Sequence, residues 1–503
     1  MLHYLSTRGG TAANTRIRSA EAILRGLAPD GGLFMPERIP ALTRDDLKKL
    51  CGQTYPERAS FLLSRFLDDY PVSELEAYAR DAYGEDRFPG GAAPLHNLDG
   101  RRSVLELWHG PTCAFKDMAL QMMPKLLSGS LRLTGEARTA VILVATSGDT
   151  GKAALEGFRD VPQVRILVFY PEDGVSRMQK LQMATQEGGN VGVLAISGNF
   201  DDAQTGVKSI FSDPGTADAL ERAGCFFSSA NSINWGRLAP QIVYYVSAYC
   251  DLVTKGSIRL GDEIVFSVPT GNFGNIFAGY LAKRMGVPIR RFLCASNRNH
   301  ILTDFLKTGV YDRNRPFHTT MSPSMDILIS SNLERLLYTV TGSGLTSGWM
   351  TQLKENGVYR VPDAVRSSIR ESFLGYYCDE AQTISAIRNT YEQFGYLIDP
   401  HTAVAVHAAN RYREETGDPV PTVILSTASP YKFAGAVLSA LSGSVPEDEF
   451  EALSALSHMT GTEIPAQLAS LREKPVRFRT VLSPDEMTGA TLSFVKTLCP
   501  SLS

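Results

Sequence analysis

The chain has 503 residues, more than the roughly 250–300 that one hydrophobic core usually holds, so we expect at least two domains. Hydrophobic residues make up 43% and charged residues 20%, which indicates a folded globular protein and excludes a largely disordered one. Lysine and arginine number 50 and aspartate and glutamate 53, so the net charge of −3 gives no general attraction to nucleic acid or anionic membrane. We therefore expect neither as a partner.

The cysteines and histidines carry no recognisable metal or disulfide pattern. The seven cysteines are odd in number and contain no CxxC pair, which argues against a disulfide framework and a cysteine zinc site. The histidines contain no HExxH motif, so we expect no metal. The first residues also lack the apolar core of a secretory signal. These features favour a reducing compartment, most simply the cytoplasm.

The first 95 residues differ from the rest of the chain. They contain helical patterns at Ser19–Leu27 and Thr43–Leu50 and end near a linker-like Phe88–Gly91. We predict a separate N-terminal domain over residues 1–95.

Short apolar strands then alternate with helical patterns. The predicted strands are Ser103–Trp108, Thr139–Ala145, Val164–Phe169, Val191–Ile196, Phe226–Ser229, Glu263–Val268 and Thr422–Leu425, and the predicted helices include Met118–Leu127 and Ile276–Met285. Continuously apolar strands indicate a sheet buried on both faces, and strand–helix alternation indicates parallel pairing. We therefore predict an α/β fold with an open sheet, in which ligands bind in the loops that follow the strands.

The first such loop, His109–Asp117 (HGPTCAFKD), contains Lys116. Most lysines are solvated surface charges, and that reading stays open here. A lysine desolvated in this apolar, turn-rich loop would have a lowered pKa and could act as a nucleophilic amine.

Two further loops have the composition of anion sites. Thr146–Gly151 (TSGDTG) combines hydroxyls and glycines with a following helix start, although capping by Asp149 or Thr150 would also explain it. Pro269–Asn275 (PTGNFGN) contains two Gly-Asn pairs, which suit a nest of backbone N–H groups around a phosphate better than a simple tight turn.

Two weaker segments have polar side chains after strands. Asn231–Arg237 (NSINWGR) suits a second oxyanion, or equally a helix cap followed by a surface arginine. Ser426–Tyr431 (STASPY) offers hydroxyls for a ring nitrogen, or a capped turn before a helix at Lys432. An amine, a phosphate nest and a ring-nitrogen partner together fit pyridoxal phosphate (PLP), and the second anion site suggests a phosphorylated or carboxylate substrate.

These motifs, in this order and spacing, resemble the threonine synthase family of the longer, fungal and enterobacterial-like type, among fold-type II PLP enzymes. Matches outside the loops are Ser6–Gly9, Leu27–Pro36, Phe305–Arg313 and Ser322–Leu336, so the resemblance covers nearly the whole chain. It implies a tryptophan synthase beta-like fold. It also implies a large PLP-binding domain over residues 96–135 and 226–503 and a small mobile α/β domain over residues 136–225.

The resemblance also assigns site residues. Lys116 matches the Schiff-base lysine, Asp149 the residue near the cofactor's phenolic oxygen, and Thr427 the partner of the pyridine nitrogen. The cofactor-phosphate loop matches Gly271, Asn272, Phe273, Gly274 and Asn275. The substrate phosphate positions match Thr150, Asn231, Ser232 and Arg237, and Ser147 is a further substrate-binding residue.

The implied reaction converts O-phospho-L-homoserine and water to L-threonine and phosphate, in a monomer or homodimer. A threonine-synthase-like phospholyase that makes 2-oxobutyrate from phosphohomoserine or phosphothreonine is the alternative, and a catalytically silent paralogue is a third reading. One departure stands out: the family usually has Ala-His-Pro-Ala-Lys-Phe where this chain has Ala-Ser-Pro-Tyr-Lys-Phe. We expect Ser429 and Tyr431 to affect substrate range more than cofactor binding.

Overall fold

The computed structural model describes residues 1–9, 16–173 and 175–498. Its strands form two parallel-rich sheets and two small hairpin-like pairs. In chain order the strands are β1 (Tyr4–Ser6), β2 (Phe34–Pro36), β3 (Leu95–Asn97), β4 (Arg102–Glu106), β5 (Thr139–Ala145), β6 (Val164–Pro171), β7 (Val191–Ile196), β8 (Cys225–Ser228), β9 (Ile264–Pro269), β10 (Ile289–Ser296), β11 (Val310–Asp312), β12 (Val358–Arg360), β13 (Phe373–Tyr377), β14 (Thr422–Ser426) and β15 (Val481–Leu482).

The larger sheet has six strands in the order β13-β10-β9-β14-β4-β3. All its pairs are parallel except β3 with β4. β9 and β14 are buried along their whole length, as expected for strands covered on both faces by helices.

The smaller sheet has five parallel strands in the order β15-β7-β6-β5-β8. From β5 the chain proceeds to β6 on one side, while β8 pairs on the other side. The loops after β5 and β8 therefore diverge at a switch point, where open α/β sheets form a ligand crevice. The predicted α/β class with mostly parallel sheets is confirmed.

Helices cover both sheets. In chain order they are α1 (Ser19–Arg25), α2 (Arg44–Cys51), α3 (Tyr55–Phe66), α4 (Val72–Tyr83), α5 (Asp117–Leu120), α6 (Met123–Thr134), α7 (Asp149–Phe158), α8 (Arg177–Ala184), α9 (Phe200–Ser212), α10 (Pro214–Arg222), α11 (Trp235–Thr254), α12 (Gly274–Met285), α13 (Ile301–Thr308), α14 (Leu333–Thr341), α15 (Ser343–Asn356), α16 (Asp363–Arg370), α17 (Glu380–Phe394), α18 (Pro400–Thr416), α19 (Ala434–Ser442), α20 (Glu449–Thr460), α21 (Ala466–Ala469) and α22 (Met487–Leu498). Short 3-10 turns lie at Pro323–Met325, Pro430–Phe433, Ser470–Arg472 and Pro484–Glu486.

One predicted helix is wrong in its continuity. The stretch Met118–Leu127 is divided between α5 and α6 because Pro124 lies in the first turn of α6. A proline there has no N–H to continue the preceding helix but fits the start of a new one. The other predicted helices and strands agree with the structure to within a few residues at their ends.

Sheet membership differs from the proposed domain division at two places. The limit between residues 225 and 226 falls inside β8, which pairs with β5 of the smaller sheet. β15, from the stretch assigned to the large domain, pairs with β7 of the smaller sheet as well. Strand pairing over such sequence distances leaves no local signal in the chain.

The N-terminal helices pack on the long α11, and α2 begins with a capping box in which Thr43 accepts from Asp46 N–H. The linker-like Phe88–Gly91 is not a free tether, since the Phe88 side chain is fully buried. No helix in the described ranges is long and apolar enough to cross a membrane.

Candidate active site

One cavity of about 1050 Å³ lies at the carboxyl ends of the strands, between the loops of the two sheets. Every residue assigned to the site by sequence lines this cavity. They are Lys116, Ser147, Asp149, Thr150, Asn231, Ser232, Arg237, Gly271, Asn272, Phe273, Gly274, Asn275 and Thr427. The structure therefore brings together five loops that lie up to 311 residues apart in sequence, from position 116 to position 427.

The Lys116 loop is pinned to the loop after β14. Phe115 N–H donates to Thr427 O at 2.8 Å, and Ser429 N–H donates to Cys113 O at 3.0 Å. The Asp117 carboxylate closes the loop by accepting from the N–H and hydroxyl of Thr112. These bonds place Lys116 and Thr427 on the same stretch of wall.

The Lys116 amine is uncommitted. Among the described residues it has no hydrogen-bond or ion-pair partner, and its Nζ lies 4.7 Å from the centre of the Phe115 ring. Burial lowers its pKa from 10.5 to about 8; Arg237 and Lys432 act in the same direction, while Asp149 opposes them. An amine of this kind is a suitable nucleophile near neutral pH.

Asp149 starts α7, and its carboxylate is fully engaged. Its Oδ1 accepts from Gln179 Nε2 at 2.9 Å and lies 2.6 Å from Lys432 Nζ, while its Oδ2 accepts from Ser324 Oγ at 3.2 Å. Burial would raise the pKa of Asp149, but attraction to Lys432 and Lys116 holds it well below its usual range. Asp149 therefore remains a carboxylate in the site.

The capping explanation for the Thr146–Gly151 loop does not hold. Gly148 is the N-cap of α7 and receives no side-chain cap from Asp149 or Thr150. The Thr146 hydroxyl instead accepts from Gly148 and Gly151 N–H. Ser147 and Thr150 are left half-exposed at the cavity, at the positive end of a helix dipole.

The Gly271–Asn275 loop leads directly into the start of α12 and has a constrained backbone. Phe273 has a left-handed φ of 61°, and a Cβ on Gly271 would lie 2.7 Å from Ser324 O. Asn275 Oδ1 accepts from the hydroxyls of Tyr244 and Tyr245. Its buried Nδ2 has no acceptor among the described residues, so the loop presents an unused donor at a helix N-terminus.

The interpretation of Arg237 as a surface arginine is wrong, because this residue is only 3% exposed. Its Nη1 donates to Ala230 O at 2.6 Å, and its Nε has no acceptor in the described part of the chain. No carboxylate of the described residues lies within ion-pair distance of it, and burial lowers its pKa to about 10. A buried guanidinium that has an unused N–H and no counter-charge is suited to bind an anion.

A second buried arginine holds two of these loops in place. Arg335 donates to Ile233 O at 2.6 Å and also to Asn332 Oδ1, while Asn332 Nδ2 donates to Asn272 O at 3.0 Å. The 231–233 segment and the 271–275 loop are therefore fixed to the same helix, α14.

Thr427 is 5% exposed, and its hydroxyl has no partner among the described residues. The two departures from the family pattern lie elsewhere: neither Ser429 nor Tyr431 lines the cavity. The Tyr431 hydroxyl bonds to Thr462, and the Ser429 hydroxyl accepts from Tyr431 N–H. Their expected influence on substrate range therefore has no direct contact to support it.

Sequence reasoning missed several residues of the site. Lys432, Gln179 and Ser324 hold Asp149, and His401 lines the cavity with its Nδ1 2.6 Å from Asp399 Oδ2. Lys432 and Ser324 lie inside segments that match the family, and this match could have identified them. No sequence feature points to Gln179 or His401.

The wall residues fit PLP. The free Lys116 amine suits an aldehyde, and the unused Asn275 Nδ2 and the N-terminus of α12 suit a phosphate. The free Thr427 hydroxyl suits a ring nitrogen, and Arg237 remains for a second anion.

Comparison with known proteins agrees with this chemistry. The profile "Pyridoxal-phosphate dependent enzyme" matches residues 97–428. "Threonine synthase N terminus" matches residues 3–83, and "Threonine synthase, C-terminal" matches residues 402–488, which overlap the end of the first match. The chain is 44% identical to human "Threonine synthase-like 1" over 84% of its own length, but it spans only 58% of that relative.

Two further relatives match from end to end. Threonine synthase of Pseudomonas aeruginosa is 39% identical over 97% of this chain and 96% of its own length. The crystal structure of PLP-bound threonine synthase from Brucella melitensis superposes with a TM-score of 0.86 at 38% identity, covering 99% of this chain and all of that one. This chain belongs to the threonine synthase family of fold-type II, pyridoxal-phosphate-dependent enzymes.

Proposed function

We propose that the protein is a threonine synthase that converts O-phospho-L-homoserine and water to L-threonine and phosphate. The observation that carries this proposal is the pairing of an uncommitted amine, Lys116, with a buried and uncompensated Arg237 in one cavity. The Gly271–Asn275 loop, a different segment of the same wall, offers a nest for a second phosphate. The site thus has separate places for the phosphate of the cofactor and that of the substrate.

PLP, when bound, supplies an aldehyde that captures amines and a conjugated ring that accepts electrons. Lys116 provides the amine for that aldehyde and moves the proton at the substrate Cα. The Gly271–Asn275 loop would hold the cofactor phosphate, Thr427 would supply a hydroxyl for the ring nitrogen, and Asp149 would be the residue near the phenolic oxygen.

Arg237 holds the substrate phosphate, which leaves from Cγ. Ser147, Thr150, Asn231 and Ser232 add hydroxyl and amide donors around it. Water must add at Cβ only after phosphate has left, so the site has to exclude bulk water until then. The residues 136–225 would form a mobile unit that closes over the larger one, bringing Thr150 toward Arg237.

A phospholyase that makes 2-oxobutyrate from phosphohomoserine or phosphothreonine is the second candidate. It is favoured by the higher identity to threonine synthase-like 1, 44%, than to the bacterial threonine synthase, 39%. Both reactions need the same cofactor and phosphate contacts, and they differ in the fate of the carbon skeleton.

Product analysis tests the proposal. The purified protein with PLP is incubated with O-phosphohomoserine, and amino and oxo acids are identified by mass spectrometry. Threonine with stoichiometric phosphate supports the synthase, and 2-oxobutyrate supports the phospholyase. Absence of both, with no pyridoxyl label on Lys116 after borohydride reduction, would favour a silent paralogue.

Two nearby lysines serve as internal controls in the labelling. Lys152 is buried and bonds to Gln186 Oε1 at 2.5 Å, and Lys125 pairs with Asp81. Neither lines the cavity, so a label on either would contradict the role of Lys116.

We also propose a cytoplasmic enzyme that is a monomer or homodimer. Free thiols at Cys113, Cys250, Cys294 and Cys378 are buried and suit a reducing compartment. Light scattering on the purified protein measures the oligomeric state.

A further inference from the structure

A second lysine, Lys432, lies behind the cavity wall. Its side chain is 0% exposed, and its Nζ donates to Thr112 O at 3.0 Å and lies 2.6 Å from Asp149 Oδ1. A buried ammonium is stable only with a counter-charge and further hydrogen bonds. Asp149 is the carboxylate that provides this counter-charge.

Asp149 lies between two lysines and contacts only one of them. Its Oδ1 is taken by Lys432 and Gln179, and its Oδ2 is taken by Ser324. Lys116 acts on Asp149 electrostatically but has no hydrogen bond or ion pair to it within the described ranges. The structure therefore pairs the carboxylate with the lysine that does not face the cavity.

The pairing of Asp149 with Lys432 matters because of the charges around Lys116. Besides burial, three groups act on its pKa: Asp149 raises it, whereas Arg237 and Lys432 lower it. If Lys432 lost its charge, Asp149 would remain buried and Lys116 would be the other lysine that acts on it. A buried carboxylate without a counter-charge is strongly unfavourable even when it keeps neutral hydrogen bonds, so it would draw the Lys116 amine into an ion pair.

We propose that Lys432 is a positioning residue: by holding the Asp149 carboxylate, it keeps Lys116 unpaired and free to react with a carbonyl compound. The proposal rests on the proposed function only in naming PLP as that compound. Lys432 itself contacts neither substrate nor cofactor in this role. It acts through the charge and position of Asp149.

The reactivity of Lys116 can be measured without turnover. The 503-residue chain, freed of cofactor, is treated with formaldehyde and cyanoborohydride between pH 6 and 10, and methylation of the Lys116 peptide is followed by mass spectrometry. Formaldehyde is small and uncharged, so Arg237 does not steer it. Exposed Lys354 in the same digest provides an internal reference.

In Lys432→Met, the methylation rate of Lys116 at pH 7 should fall on the order of tenfold, since one pKa unit changes the neutral amine fraction tenfold. The midpoint of the rate against pH should rise. Lys432→Arg keeps the charge and should stay within about threefold of the wild type. Near-ultraviolet circular dichroism verifies the fold, and Lys432→Gln replaces the Met variant if that one is misfolded.

The double variant Lys432→Met/Asp149→Asn separates positioning from a structural role. Without the carboxylate there is nothing to capture the amine, so the rate should return to the wild-type value or above. An unchanged rate in the single variant, or a double variant as slow as the single, would overturn the proposal. Because no substrate is present, this outcome is independent of which product the enzyme makes from phosphohomoserine.

Discussion

At the residue scale, the main feature of the site is a pair of cationic side chains that are buried without an ion-pair partner among the described residues. Lys116 and Arg237 both face the cavity, and burial lowers the pKa of each, to about 8 and about 10. Such groups destabilise the protein until an anion or a covalent partner arrives. They are therefore the positions where stability and activity should oppose each other.

Substitution of Lys116 should stabilise the cofactor-free protein while preventing cofactor capture. The folded-state pKa is about 8 against 10.5 unfolded, so below about pH 8 the folded protein carries a buried charge at a cost. Lys116→Met should raise the free energy of unfolding at pH 7 by about 1–3 kcal/mol. Between pH 8 and 10.5 the unfolded wild type binds a proton that the folded one lacks, so its stability rises and the difference shrinks.

Urea unfolding of the two cofactor-free proteins, wild type and Lys116→Met, at pH 7 and 10.5 measures this difference in the free energy of unfolding. A Met variant that is less stable, or a difference that does not depend on pH, would contradict the assignment of a buried, unpaired amine.

Substitution of Arg237 should affect substrate rather than cofactor. Truncating one partner of a buried charged contact costs about 2–5 kcal/mol, so Arg237→Gln should lower kcat/KM for phosphohomoserine about 30- to 5,000-fold. Affinity for PLP, measured by absorbance titration, should change less than about threefold. The exposed Arg259 gives a control, Arg259→Gln, with no effect on either value. Loss of PLP binding in Arg237→Gln would contradict the separation of the two phosphate sites.

At the element scale, the site depends on where helices begin. α7 starts at Asp149, between Ser147 and Thr150, and α12 starts inside the Gly271–Asn275 loop. The N-terminal motif also acts here: Arg8 and Thr7 bond to Glu334 at the start of α14. Since the next residue, Arg335, holds the 231–233 segment, residues near the N-terminus support an anion site more than 220 residues away in sequence.

A methyl group on Gly271 should weaken cofactor binding. Its Cβ would lie 2.7 Å from the backbone oxygen of Ser324, so the phosphate loop or the Ser324 segment must move. Overpacking of this kind costs about 1–3 kcal/mol, so Gly271→Ala should bind PLP about 5- to 150-fold more weakly.

Gly348 offers a matched control in the interior of α15, where an added Cβ meets nothing within 4 Å. Gly348→Ala should leave PLP affinity unchanged and stabilise the protein by about 0.5–1 kcal/mol. Equal PLP affinity in the two alanine variants would show that the Gly271 loop is not a phosphate site.

At the scale of the whole molecule, elements late in the chain complete the smaller sheet. β15 extends the smaller sheet next to β7, and α22 buries Met487 and Val495 against it. The last helix thus covers a sheet that carries the α7 side of the cavity, although no site residue was assigned to it.

Ending the chain at Thr480 should loosen the smaller sheet selectively. Loss of two buried apolar side chains alone removes about 3–6 kcal/mol of stabilisation. Hydrogen exchange followed by mass spectrometry should show faster exchange at Val191–Ile196, while Ile264–Pro269 of the larger sheet keeps its protection. Equal loss of protection in both sheets would mean that they unfold as one unit.

Local patterns in the chain were enough for strands β4 to β9 and β14, for the α/β class and for the loops that carry the site, although β10 and β13 of the larger sheet were not predicted. Apolar runs such as Thr139–Ala145 bury both faces wherever they lie, and glycines or hydroxyls after a strand limit the backbone locally. The break at Pro124 was also available from the sequence in principle, because it depends on proline geometry alone.

The charge partners could not be predicted from local patterns, because they depend on contacts between distant segments. Nothing near Arg237 in the sequence reveals that it is buried without a carboxylate, and Lys432 reaches Thr112 across 320 residues. The pairing of β15 with β7 and of β8 with β5 likewise joins strands far apart in the chain. A side chain's charge state depends on its burial and neighbours, and both are set when the two sheets and their loops assemble.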